Sequence, residues 1–117
     1  MSGPPLKLIR APLGRIAGAR SGDKGGNANV GVWARTPQAY AWLLQFLTAE
    51  RLSQLLPEVR GLVVERYLLP NLLAVNFVIQ RLLGEGVSAS MRSDPQAKSL
   101  GEYLRAKVVD VPEALLG

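Results

Sequence analysis

Between Ser21 and Asn29 the chain sets a hydroxyl, a carboxylate, an ammonium and two amides close together, as Ser21, Asp23, Lys24, Asn27 and Asn29, interleaved with Gly22, Gly25 and Gly26. Glycines accept the left-handed conformations that let successive backbone N–H groups converge on one point, and a lysine beside such a nest attracts a phosphate or carboxylate. The stretch is not a Walker loop, because the GxxxxGK[ST] spacing and the helix that must follow it are both missing. Two other readings stand beside the anion site. Asp23 and Asn27 can satisfy the backbone of their own turn while Lys24 stays solvated, or the turn can dock on a partner. Proton transfer between Asp23 and Lys24 needs a curled turn, since adjacent side chains on an extended strand point apart.

The absences narrow the chemistry further. With no histidine and no cysteine, the chain has no Ser-His-Asp triad, no thiolate nucleophile, no imidazole base and no zinc site of the usual kind. No metal and no cofactor is implied. A polar pocket remains available: Asn29 in a strand and Asn76 in an otherwise apolar helix each need a hydrogen-bond partner, and together with Asn71 and Arg92 they form a second set of candidate ligand-binding residues. The bland alternative is that the amides bond to backbone edges or to each other. Asp94, in Ser93-Asp94-Pro95, reads first as a helix cap. Trp33 and Trp42 read as core or interface anchors.

The elements that must position these groups follow from periodicity. Gly3, Pro4, Pro5 and Pro12 make residues 1–12 a loose arm or an edge strand. Leu13 to Ala19 leads as a strand into the Gly-rich turn. From Ala28 to Ala34 a second strand sends Ala28, Val30, Val32 and Ala34 one way, and Asn29, Gly31, Trp33 and Arg35 the other. The two predict a hairpin with a long tip. Thr36-Pro37 caps a helix through Tyr40, Leu43, Leu44 and Leu47, and Thr48 caps a shorter one stopped by Pro57. Leu62-Val63-Val64 with Tyr67 predicts a third strand. Asn71 to Leu83 is expected to be a helix apolar on nearly every face, ended by Gly84 and Gly86. Val87 to Arg92 is expected as a fourth strand, Asp94 opens a last helix, and the tail from residue 110 is an arm or a closing strand.

This order is α+β. It predicts a ferredoxin-like sandwich: a small, mostly antiparallel sheet with helices on one face, leaving the other for docking or oligomerisation. With 117 residues, 48% of them hydrophobic, one domain fits, here residues 13–109 between the arm and the tail at 110–117. The net charge of +5 is spread singly along the chain, without the basic clusters and interleaved aromatics of a nucleic-acid binder. No apolar stretch approaches the length of a membrane span and the N-terminus has no signal-peptide pattern, so a soluble, cytoplasmic protein is expected.

Several motifs in order carry a family resemblance: Ser21-Gly22-Asp23-Lys24-Gly25, Ala28-Asn29-Val30-Gly31-Val32, Glu65-Arg66-Tyr67, Leu69-Pro70-Asn71-Leu72, Asn76-Phe77-Val78, Gly86-Val87, Asp94 and Lys98-Ser99. Over roughly residues 13–109 the chain resembles the ferredoxin-like C-terminal domain of the acyclic terpene utilisation protein AtuA. The resemblance implies a place near branched or terpenoid acyl-CoA catabolism, with a larger AtuA-type chain as partner. The all-round apolar helix Leu72 to Leu83 and the exposed sheet face are the expected docking surfaces, with a homodimer expected when the chain is isolated. It implies no settled reaction. It leaves open a subunit that holds a CoA-type or carboxylate ligand at the turn. Gly26 stands where the family usually has Asn or Asp, and Leu68 and Leu73 stand in a region where polar residues are frequent, which makes that region more apolar here.

Overall fold

The Gly-rich stretch is mostly strand. In the computed structural model, which describes residues 7–24, 27–80 and 94–116, β2 (Ala17–Lys24) and β3 (Asn27–Ala34) pair antiparallel without a break from Ala17↔Ala34 to Lys24↔Asn27. The long tip expected from composition is therefore not formed: Ser21, Asp23, Lys24 and Asn27 all lie in the ladder. Gly and Asn are weak strand formers. Here they are held by pairing on one side and by a helix packed across β2.

After β3, Thr36 Oγ1 accepts a hydrogen bond from the Ala39 amide at 3.1 Å and starts α1 (Pro37–Phe46). Thr48 Oγ1 does the same for Arg51 at 3.0 Å and starts α2 (Ala49–Leu55). Both caps stand where the sequence put them, because a hydroxyl at this position satisfies an otherwise orphaned helical N–H. The chain returns as β4 (Val64–Leu69), whose Arg66 guanidinium donates to the carbonyls of Leu44 at 2.8 Å and Leu47 at 3.1 Å. A cation at the carbonyl end of α1 complements the helix dipole and ties strand to helix.

Where a helix is expected from Asn71 to Leu83, the described residues as far as Gln80 form a turn and a strand instead. Pro70–Leu72 form one 3-10 turn, Leu73 takes the left-handed conformation (φ 51°), and β5 (Ala74–Ile79) follows. The Leu73 carbonyl accepts from the Ala34 amide at 2.9 Å, which anchors the bend to β3. An apolar run bounded by a proline turn reads equally as a buried helix or a central strand. Period two decides it: Val75, Phe77 and Ile79 are fully buried, while Asn76 and Val78 are half-buried on the other side. Residue 80 is the last described on this side of the chain, so the remainder of that segment, the strand expected at Val87–Arg92 and Arg92 itself lie outside the described residues.

The four strands lie in the order β2-β3-β5-β4, each neighbouring pair antiparallel. α3 (Asp94–Ala106) crosses β2 with Leu100 and Leu104 buried. Its Gly101 permits the approach, since a Cβ there would lie 3.3 Å from the Arg20 amide nitrogen and from Ser21 Oγ. Beyond it, β6 (Val108–Pro112) pairs antiparallel with β1 (Leu8–Pro12) as a separate two-stranded sheet. Residues 8–12 and 108–112 are thus strands, and of the arm-or-strand alternatives it is the strand that forms there.

One core joins these parts. Val30, Val32, Val75, Phe77 and Ile79 of the main sheet meet Leu43, Leu47, Leu52, Leu56, Leu100, Leu104 and Val111, and all are essentially inaccessible to water. No charged or polar residue is buried among the described residues. The result is the expected α+β sandwich, with its helices against one face of the sheet.

Candidate functional site

Register assigns each candidate residue to a face, because directly opposed residues of antiparallel strands share one. Ala28, Val30 and Val32 of β3 face the helices together with Val75, Phe77 and Ile79 of β5. The open face takes the alternate set: Gly18, Arg20 and Gly22 from β2; Asn27, Asn29, Gly31 and Trp33 from β3; Ala74, Asn76 and Val78 from β5; Glu65, Tyr67 and Leu69 from β4.

Glycines on this face explain how it holds large side chains. Gly18 is paired with Trp33, Gly22 with Asn29 and Gly31 with Asn76. The Trp33 indole lies across Gly18, where even a methyl group would overlap the ring. Asn29 Oδ1 and Asn76 Oδ1 stand 3.9 Å and 3.7 Å from where a Cβ on Gly22 and Gly31 would be. The close approach of the indole therefore requires glycine at position 18, whereas a Cβ on Gly22 or Gly31 would make only ordinary contact with the amides.

Asn27, Asn29 and Asn76, with Ala28 and Val78, line a cleft of about 300 Å³ near the hairpin end. Among the described residues neither the Asn29 nor the Asn76 side-chain amide has a hydrogen-bond partner. Both are half-buried, and the protein partners expected for their side-chain amides are not found among the described residues.

Of the other candidates, Ser21 and Asn71 separate from this cleft. Ser21 faces α3, where its Oγ accepts the Gly101 amide at 2.7 Å, so it works in helix packing. Asp23 and Lys24 are opposed to Ala28 and Asn27. Asn71 is exposed in the β4–β5 turn, next to the Leu69↔Ala74 pair and thus at the opposite end of the sheet from Asn27. Five residues of strand, roughly 17 Å, separate the two ends. The cluster expected to join the hairpin tip with Asn71 and Asn76 accordingly keeps Asn76 and loses Asn71.

What composition did not single out is the apolar end of the open face. Trp33, Ala74 and Leu69 form one row across three strands. Trp33, Tyr67 and Leu69 are 38%, 49% and 42% exposed, and Leu72 on the adjoining turn is 68% exposed. Leu68, Leu69, Pro70, Asn71 and Leu72 line a cleft of about 360 Å³ there. Tyr67 donates its hydroxyl to Glu65 Oε1 at 3.0 Å. That hydrogen bond first, then the nearby Glu65 charge and slight desolvation, raise the Tyr67 pKa above its ordinary 10.0. The alternation Glu65-Tyr67-Leu69 was the available signal for this surface.

No group of acidic residues is arranged to hold a metal among the described residues, and no described helix is long and apolar enough to cross a membrane. No curated protein and no solved structure gives a significant match. The model of the AtuA ferredoxin-like domain family matches residues 11–110. With that match spanning most of the chain, and with an antiparallel sheet carrying its helices on one face, the chain belongs to the AtuA ferredoxin-like domain family.

Proposed function

We propose that this chain is a docking module: a small accessory subunit or domain that binds a larger AtuA-type chain in branched or terpenoid acyl-CoA catabolism, without a reaction of its own. The observation that carries this reading is the open sheet face, where Trp33, Tyr67 and Leu69 stay substantially exposed while the helices cover the opposite side. Aromatic side chains of this kind are the usual anchors of protein interfaces, and an amide cleft beside them supplies hydrogen bonds at the rim. In isolation a second copy of the chain covers the same face, giving a homodimer in the cytoplasm.

Co-expression with the AtuA-type chain and co-purification test the reading. A complex is expected with the wild type, and a loss of about ten-fold or more in affinity with Trp33→Ala combined with Tyr67→Ala, both variants keeping the native circular dichroism spectrum. Absence of a complex at every salt concentration overturns it.

A second reading is favoured by the Asn27, Asn29 and Asn76 cleft alone: a subunit that holds a CoA-type or carboxylate ligand at the hairpin end. Calorimetry with an acyl-CoA, repeated on Lys24→Ala and Asp23→Ala, separates the two. Heat lost in the variants supports ligand binding there, and silence in both the free chain and the complex removes it.

A further inference from the structure

A separate cleft of about 470 Å³ opens on the helix side of the main sheet, between α1, α2 and the β1–β6 pair. Four periodicities converge on it. Trp42 and Phe46 are one helical turn apart on α1, Arg51 and Leu55 one turn apart on α2, Leu8 and Arg10 two apart on β1, and Val108 and Asp110 two apart on β6. The Trp42 and Phe46 rings stack with centroids 4.6 Å apart and planes at 12°. The Arg51 guanidinium lies over the Phe46 ring, 4.8 Å from its centroid.

The charges in this cleft are unequal in what they leave available. Arg10 is engaged within the wall, donating to Asp110 Oδ1 at 3.3 Å and to the Val108 carbonyl at 3.1 Å. Arg51 has no acidic partner among the described residues; its guanidinium makes only the ring contact. An aromatic face holds a guanidinium in place without consuming its N–H donors, which leaves them available to the fork of a carboxylate. Two arginines against one aspartate give the cleft a single net positive charge. That balance suits a monoanion and disfavours a dianion. Leu8, Leu55, Val108 and the two rings offer apolar walls of no use to a small hydrated anion, and the volume is that of a small-molecule site.

We propose that this cleft binds an amphipathic monocarboxylate, with its carboxylate on Arg51 and its apolar body along Trp42, Phe46, Leu8 and Val108. The site is independent of the docking face, which lies on the other side of the sheet and uses none of these residues.

Trp42 is itself the reporter, because the chain has two tryptophans and Trp33→Phe leaves it alone. The probe is octanoate, with octanol and octylamine as neutral and cationic controls of equal chain length, titrated by fluorescence on Trp33→Phe and by calorimetry on the wild type. Saturable binding of octanoate is expected, at least about ten-fold tighter than either control. Arg51→Ala should weaken it by about ten- to hundred-fold while octanol is unaffected, matching the loss of one charge-assisted pair. Arg51→Lys, which keeps the charge and loses the fork, should recover part of the binding. No saturable response at millimolar octanoate overturns the proposal, as does equal binding of octylamine or an Arg51→Ala variant that binds like the wild type.

Discussion

The two faces of the four-stranded sheet are built from alternate residues of the same strands and behave as different materials. Phe77 is fully buried against the helices, and its neighbour Asn76 stands half-exposed over Gly31 on the other side. Among the described residues the helix face is mostly hydrocarbon; Ser21 accepts the Gly101 amide of α3 there, and the Arg66 guanidinium ends on the α1 carbonyls. The open face holds glycines, amides and partly exposed aromatics. Stability is concentrated on the first face and recognition is available on the second, because removing apolar area from water stabilises the fold whereas solvated amides contribute little until a partner covers them.

Substitutions at neighbouring positions should separate the faces by size of effect. Phe77→Ala empties a ring's volume from a packed core and is expected to cost about 3–5 kcal/mol, read from urea denaturation. Asn76→Ala, one residue away, should change stability by no more than about 0.5 kcal/mol in the same measurement. Comparable costs at the two positions would mean that the open face is itself part of the stabilising core. The smallest effect is the titration of Tyr67. Its hydroxyl bond to Glu65 raises the pKa, so the folded state holds the phenol proton more tightly than the unfolded chain does. This contribution is fully present below the unfolded pKa and is lost as pH rises through the folded one. Ultraviolet titration should therefore show the phenol that is missing in Tyr67→Phe ionising above the ordinary range, and Glu65→Gln should bring that ionisation back down. An unshifted curve would remove the Glu65 contact from the account of this face.

Much of the fold was legible because its signals are local. Thr36 and Thr48 capped their helices as expected, and the alternation Ala28-Val30-Val32 marked the buried side of β3. Ala74 to Ile79 was misread as helix because its apolar residues are dense enough to satisfy either period, and only hydrogen bonding to β3 and β4 on both sides selects the strand. The same correction removes the all-round apolar helix as an expected docking surface, so the proposed docking rests on the open sheet face. For the candidate site, Asn27, Asn29 and Asn76 were brought together, Ser21 was taken by α3 and Asn71 was sent to the far end. No spacing in the chain encodes those separations.

Residue types and their order set the available chemistry and the family: no imidazole, no thiol, a Gly- and Asn-rich stretch, and ordered motifs that place the chain in the AtuA ferredoxin-like domain family. Residue identities and short-range periodicity are enough for that. Folding in three dimensions is what puts the glycines of β2 and β3 beneath Trp33 and the amides, and what brings Arg51 and the stacked Trp42 and Phe46 to one cleft from two helices beside two distant strands. Register and packing bring together residues far apart in the chain, and the free energy that fixes them comes from burying the opposite face of the sheet.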